Sequence, residues 1–189
     1  MTKIILASSS PRRKELLSQA GFVFEVIAPT FDEAEFSLSP SQSSIQQLSL
    51  QKAKSISENL TVSALVISAD TVVICDDTIM GKPQNREHAY KMLKQLSGKT
   101  HRVITGIAVV NTADKKEYTD SAITYVTFND LSDSDIYNYI DTRKPFDKAG
   151  AYGIQELPES FVKKIDGYFD NVVGLPINIL IKLIKTINS

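Results

Sequence analysis

The sequence predicts an α/β fold built on a mixed β-sheet. Strand-like and helix-like segments alternate along the chain, as layered α/β proteins require. Lys3–Ala7 reads as a short buried strand that leads directly into a helix. Arg102–Val110 and Lys116–Phe128 are long, β-branched and neighbouring, so they look like a hairpin, which a purely parallel sheet does not contain.

After the first strand, Ser8–Ser10 break the pattern, and Pro11 suits a first helical turn with Ser10 as N-cap. This helix should run to about Ala20 and stop at Gly21. Phe22–Ala28 reads as a second strand, Ser37–Ser44 as a surface loop and Ser43–Leu60 as a helix. Leu65–Ile74 is a strand followed by a turn at Asp76-Asp77. Arg86–Leu96 is a helix ended by Gly98, and Asp133–Tyr139 is another. Phe161–Ile165 is a strand, and a final helix follows Pro176.

At 189 residues the chain suits one domain, with room for two lobes. A net charge of −1 supplies no general field for nucleic acid or an anionic membrane. Affinity for phosphate must therefore come from local arrangement. The lone Cys75 excludes an internal disulfide framework and a cysteine-based zinc cluster, and His88 and His101 are too few for a His-rich metal site. The apolar runs Ala64–Cys75 and Ile177–Ile187 fall short of a membrane span. Met1–Ala7 lacks the layout of a signal peptide, so the expected location is cytoplasmic, with no membrane and no nucleic acid as partner.

The chemistry-bearing residues fall into several groups. Ser8-Ser9-Ser10-Pro11-Arg12-Arg13-Lys14 forms a strand–loop–helix junction. A helix start offers unpaired N–H groups and a positive dipole end, and Arg12 and Arg13 add forks that match phosphate oxygens. Cations there oppose the dipole unless an anion is present; a capped surface helix with solvated arginines is the other reading. Asp70 lies within the apolar run Leu65–Cys75. An unpaired buried charge is expensive, so it should face a metal, a cation or a cleft, unless backbone donors satisfy it structurally. Lys52 sits on the stripe of Ile45, Leu48, Ile56 and Leu60. It either lines a cleft or packs its stem while the ammonium reaches water. Gly81-Lys82-Pro83 and the loop acids Asp32 and Glu33 are weaker signals. Asp147-Lys148-Ala149-Gly150-Ala151-Tyr152-Gly153-Ile154-Gln155 is a small-residue loop that allows close backbone approach. Cations, carboxylates and small-residue loops together suit metal-assisted phosphoryl chemistry. Neither a Walker A pattern nor a Gly-x-Gly-x-x-Gly turn after a strand is present.

These segments, with Leu96-Ser97-Gly98 and Val173-Gly174-Leu175-Pro176, resemble the Maf family of nucleoside triphosphate pyrophosphatases over nearly the whole chain. The resemblance implies an elongated, twisted mixed sheet flanked by helices, and two lobes with a central cleft, similar to inosine triphosphate pyrophosphatase. It implies one Maf-like domain over residues 1–189, a divalent metal such as Mg²⁺ or Mn²⁺, and frequent homodimers. It places Asp70 as general base, with Glu33 and Asp70 serving the metal, and Ser8, Arg13, Lys52 and Lys82 in the phosphate-binding set. Arg12, Thr71 and Gln155 fall at the positions that separate subfamilies, and look like the branch acting on dTTP and UTP. Glu156-Leu157-Pro158-Glu159 stands where many relatives have a Gly-x-Gly segment, and Phe169 where they often have Tyr.

The implied reaction releases a nucleoside monophosphate and pyrophosphate. The rival is a non-catalytic regulator that binds a cell-division partner, because the family is associated with septum formation. A pure binding module has no need of a carboxylate such as Asp70 beside phosphate-binding cations.

Overall fold

In the computed structural model, which describes residues 2–31 and 36–187, seven strands form one mixed sheet flanked by helices. The strands are β1 (Lys3–Ala7), β2 (Glu25–Ile27), β3 (Ala64–Cys75), β4 (Thr78–Met80), β5 (Thr100–Asn111), β6 (Lys116–Phe128) and β7 (Val162–Asp166). Their order is β2-β1-β3-β5-β6-β7, with β4 paired to β3 outside that path. β1 runs parallel to β2 and to β3, whereas β3–β4 and β6–β7 are antiparallel. The expected mixed sheet is therefore present, and β5 and β6 are adjacent as their hairpin pattern requires. The helices are α1 (Pro11–Gln19), α2 (Gln42–Ser57), α3 (Arg86–Leu96), α4 (Asp133–Arg143), α5 (Phe169–Val173) and α6 (Ile177–Ile187).

The chain divides into two compact units, with crossings inside β3, β5 and β6. The first comprises residues 1–70, 105–122 and 174–189. Strand alternation sorts its core onto two faces. Ile5, Ala7, Ala64, Val66, Ala108 and Val110 pack with Leu50, Ala53 and Ile56 of α2. Leu6, Leu65, Ile67, Ala69, Ile107 and Val109 pack with Leu17 of α1 and with Leu175 and Leu180 at the chain's last helix. The central strands are buried on both sides, which is why they read as continuous apolar runs.

The second unit comprises residues 71–104 and 123–173. Here α3 packs against α4. An aromatic cluster fills its interior: the rings of His101, Phe128 and Tyr152 lie 5.0–5.5 Å apart, and Phe161 joins Phe128 to Tyr139. Asp76 and Asp77 turn β3 into β4 with φ of 48° and 58°, a two-residue turn made without glycine. Lys99 and Arg102 pair with the two exposed carboxylates at 2.6 Å each.

Several elements differ in extent from expectation. Only Glu25–Ile27 of the segment Phe22–Ala28 forms a strand. The Phe22 N–H closes α1 by bonding the Leu17 carbonyl, and Phe22 and Phe24 pack into the apolar core instead. α2 begins one residue earlier than expected, capped by Ser41, and ends at Ser57. α4 extends to Arg143, and α5 was not anticipated, being a single short helix. Among the described residues no helix is long and apolar enough to cross a membrane.

Candidate active site

The first unit builds its polar centre at the carboxyl end of β1. Ser10 caps α1 by accepting the Arg13 N–H, and Pro11 fixes the first turn. Ser8 is 4% exposed; its hydroxyl oxygen accepts the Ser10 N–H at 3.2 Å and an N–H of the Arg13 guanidinium at 3.5 Å. Arg13 Nε donates to the Gly174 carbonyl at 2.8 Å. The cation is thus held in the dipole-opposed first turn by a distant backbone oxygen. Arg12, next to it, is half-buried.

β1 pairs with β3 in the register Leu6↔Ile67, so the loop after Ala7 leaves the sheet at the level of Asp70. There the side chains of Lys52 and Asp70 form a salt bridge, with side-chain exposures of 6% and 14%. Two periodicities create it. Ser68 and Asp70 are two residues apart on β3 and share a face with Ala64 and Val66, the face that α2 covers. Ser49 and Lys52 are three residues apart on α2 and share the face turned to the sheet. Helix and strand therefore meet in two rungs: the Ser68 hydroxyl donates to the Ser49 carbonyl, and the Lys52 ammonium donates to an Asp70 carboxylate oxygen.

A third contact sets the spacing. Ser49 Oγ donates to the carbonyls of Ile45 at 3.0 Å and Gly106 at 2.9 Å. A Cβ at Gly106 would stand 2.6 Å from the Ile45 carbonyl oxygen, so only glycine lets α2 approach β5 this closely. Of the readings open for Lys52, the structure selects the inward one. The second Asp70 oxygen has no hydrogen-bond partner among the described residues, and the carboxylate retains access to solvent.

The second unit carries Thr71, Lys82 and Gln155. Thr71 follows Asp70 in β3 and points to the opposite face. Lys82 is exposed on the Gly81-Lys82-Pro83 loop. That loop is tied to the small-residue segment by the Gly150 N–H, which donates to the Gly81 carbonyl at 3.1 Å. Gly150 has φ of 67°, and a Cβ there would meet Val73 at 3.0 Å. Gln155 is exposed in a 3-10 turn, Ile154–Glu156. Glu33 lies outside the described residues. Among the described residues no three His, Cys, Asp or Glu side chains gather as metal ligands.

Several residues that build the site were not singled out from the sequence. They are Ser49, Ser68 and Gly106, whereas Lys148 and Gly174 lie in segments the sequence marks without giving either residue a role. Gly106 could have been found, because a lone glycine inside a strand signals close backbone approach. Gly174 acts through its carbonyl, and its φ of 125° is a backbone conformation that favours glycine.

The arginine-bearing helix start and the helix-braced carboxylate lie together at the carboxyl end of β1, an arrangement chemically suited to an anion. The model of the family described as Maf-like protein matches residues 3–187, and the chain belongs to that family. It is 47% identical over 183 residues to a protein named dTTP/UTP pyrophosphatase from Thermoanaerobacter sp. (strain X514), covering 97% of this chain and 95% of that one. It is 50% identical over 177 residues to one of the same name from Alkaliphilus oremlandii, covering 94% and 92%. A solved nucleoside-triphosphatase / dITP/XTP pyrophosphatase from Mycobacterium abscessus matches 69% of this chain and 76% of its own at 14% identity, with a TM-score of 0.45, a likeness too distant to carry an argument.

Proposed function

We propose that this chain hydrolyses dTTP and UTP to the monophosphate and pyrophosphate. The observation that carries this reading is the Lys52–Asp70 pair, a solvent-accessible carboxylate held by two rigid elements at the end of β1. The names borne by its family relatives support the substrate class.

Ser8, Arg13, Lys52 and Lys82 neutralise and hold the triphosphate. Asp70 accepts a proton from a water molecule as its oxygen attacks the α-phosphorus. The bond from the α-phosphorus to the bridging oxygen breaks, and the electron pair leaves with pyrophosphate. General-base catalysis of this kind is worth ~10²–10⁴-fold. Arg12, Thr71 and Gln155 select the base. The Gln155 amide offers a donor beside an acceptor, matching the N3–H and carbonyl of thymine and uracil.

The accessible oxygen of Asp70 suits a divalent metal. Mg²⁺ is commonly held by one or two carboxylates plus substrate phosphates rather than by an all-protein cage. The accessible oxygen of Asp70 would hold it, with Glu33 as the second ligand on the family resemblance, and it would supply charge neutralisation for the departing pyrophosphate.

One substrate panel tests the reading. Purified protein is given dTTP, UTP, CTP, GTP and 7-methyl-GTP, with Mg²⁺, with Mn²⁺ and after exhaustive chelation, and the products are separated by chromatography. The expected outcome is metal-dependent release of monophosphate and pyrophosphate, fastest with dTTP and UTP. Release of a diphosphate and orthophosphate would refute the cleavage site. Full activity after chelation would refute the metal, and a purine ranked first would refute the assigned branch.

A further inference from the structure

The loop that carries Gln155 is closed by ion pairs around a buried lysine. Lys148 is 7% exposed, and its ammonium lies 2.8 Å from an Asp147 carboxylate oxygen and 3.4 Å from one of Glu156. A lysine so buried needs its charge compensated, and here one carboxylate comes from each end of the same loop. The stem of Lys148 crosses the loop's interior. A Cβ at Gly153 would stand 2.8 Å from Lys148 Cε, so the glycine is the slot through which the lysine reaches Glu156. The Gly153 N–H donates to the Tyr139 hydroxyl at 3.1 Å, and the Glu156 N–H donates to the Gly153 carbonyl at 2.9 Å. Ile154 is buried beneath the turn. Gln155 is thereby fixed on both sides: by the Gly153 anchor before it and by the ion-paired Glu156 after it.

We propose that the Lys148–Glu156 pair is a positioning device that sets the pose of Gln155 and thereby sharpens discrimination among pyrimidine triphosphates. The inference rests on the assignment of Gln155 to base selection. The pair acts through the backbone of the turn. The amide meets the N3–H and carbonyl of thymine or uracil only if its stem starts at the right distance and angle, and a loose turn lets it shift toward geometries that serve cytosine equally well. A turn held at both ends fixes that starting point. Glu156→Gln removes the charge and keeps the shape, and Lys148 keeps Asp147 as its counter-ion, so no buried charge is stranded.

The test measures kcat and KM for dTTP, UTP and CTP in the wild-type protein, Glu156→Gln and Glu156→Asp, with thermal unfolding recorded for each. In Glu156→Gln the ratio of kcat/KM for dTTP over CTP should fall by roughly fivefold or more, comparable to misplacing one hydrogen bond. The change should reside mainly in KM, with the melting curve nearly unchanged. Glu156→Asp, which keeps the carboxylate, should recover part of the ratio. An unchanged ratio in folded Glu156→Gln overturns the proposal, as does an equal loss on all three substrates. A wild-type protein inert toward every triphosphate overturns both this inference and the pyrophosphatase reading. Wild-type activity with an unaltered ratio in the variant overturns only the positioning role.

Discussion

Each unit buries one lysine against carboxylate, and the two burials are built differently. Lys52 is 5% exposed and Lys148 is 7% exposed. Lys52 projects from α2 onto β3, where Asp70 keeps one oxygen without a partner among the described residues. Lys148 sits in a loop of 3-10 turns between Asp147 and Glu156. A pair carried on a helix and a strand fixes a carboxylate while leaving it accessible, which suits proton transfer. A lysine bracketed by two carboxylates of its own loop holds that loop's shape, which suits positioning. Equal burial of the two lysines thus accompanies two different proposed roles, and the elements that carry the carboxylates, a strand in one case and a loop in the other, distinguish them.

The comparison breaks most sharply at Asp70. Asp70→Asn is nearly isosteric and keeps an oxygen for Lys52, yet it cannot accept a proton as a base. Turnover should fall by at least ~10²-fold, with an unchanged circular dichroism spectrum. A folded variant with near-normal turnover would leave the first unit's pair as structural as the second's.

A smaller effect tests the brace behind Asp70. In Gly106→Ala the new methyl group meets backbone, not a flexible side chain, so α2 must move off β5. Overpacking of this kind costs about 1–3 kcal/mol. Lys52 should move with the helix, and kcat should fall with it. Urea unfolding and steady-state kinetics together check both halves. Loss of stability without loss of kcat would uncouple the helix contact from the ion pair.

Sequence and structure agree best where side chains obey a period. The stripe on α2 puts Lys52 in line with the core while leaving its ammonium open between a cleft and water, and the apolar run around Asp70 marks that carboxylate as held in or beside the core. The span of α3 agrees with the expected Arg86–Leu96 before Gly98, and the last helix follows Pro176 as expected. The ladder behind the pair was less legible, because Ser49 and Ser68 act through short hydroxyls and backbone carbonyls that no periodicity reveals. The pairing of Lys148, within a loop the sequence does mark, was hidden for another reason. Its burial depends on the path of a loop, through a slot at Gly153 and toward a carboxylate eight residues away, and loops carry no repeat. Glu33, assigned to the metal by resemblance, lies outside the described residues.

The last prediction separates the units by pH. His101 is 1% exposed among the aromatic rings of the second unit, and burial lowers its pKa from 6.5 to about 4. Nε2 lies 2.7 Å from the Tyr152 hydroxyl, one residue before Gly153, whereas Nδ1 has no hydrogen-bond partner among the described residues. A protonated ring would carry an N–H at Nδ1 without an acceptor, as well as a buried charge, so the folded state resists the proton. The unfolded chain binds it near pH 6.5, and stability therefore falls as pH drops from about 6.5 toward 4, at up to about 1.4 kcal/mol per pH unit. Between pH 7 and pH 5 the loss should reach about 2 kcal/mol. The carboxylates of Asp76, Asp133 and Asp141 have pKa values lowered by hydrogen bonds to Lys99, Lys94 and Arg86 respectively, so their contributions are lost only at and below the ordinary value of 3.8. That range lies beneath the window, and His101 should dominate within it. Urea unfolding at pH 7 and pH 5, in the wild-type protein and in His101→Gln, isolates the effect, because glutamine retains a hydrogen-bonding side chain but does not titrate. The wild-type protein should lose more stability than the variant over this interval. Equal losses in the two proteins would remove His101 as the acid-sensitive support of the loop that carries Gln155.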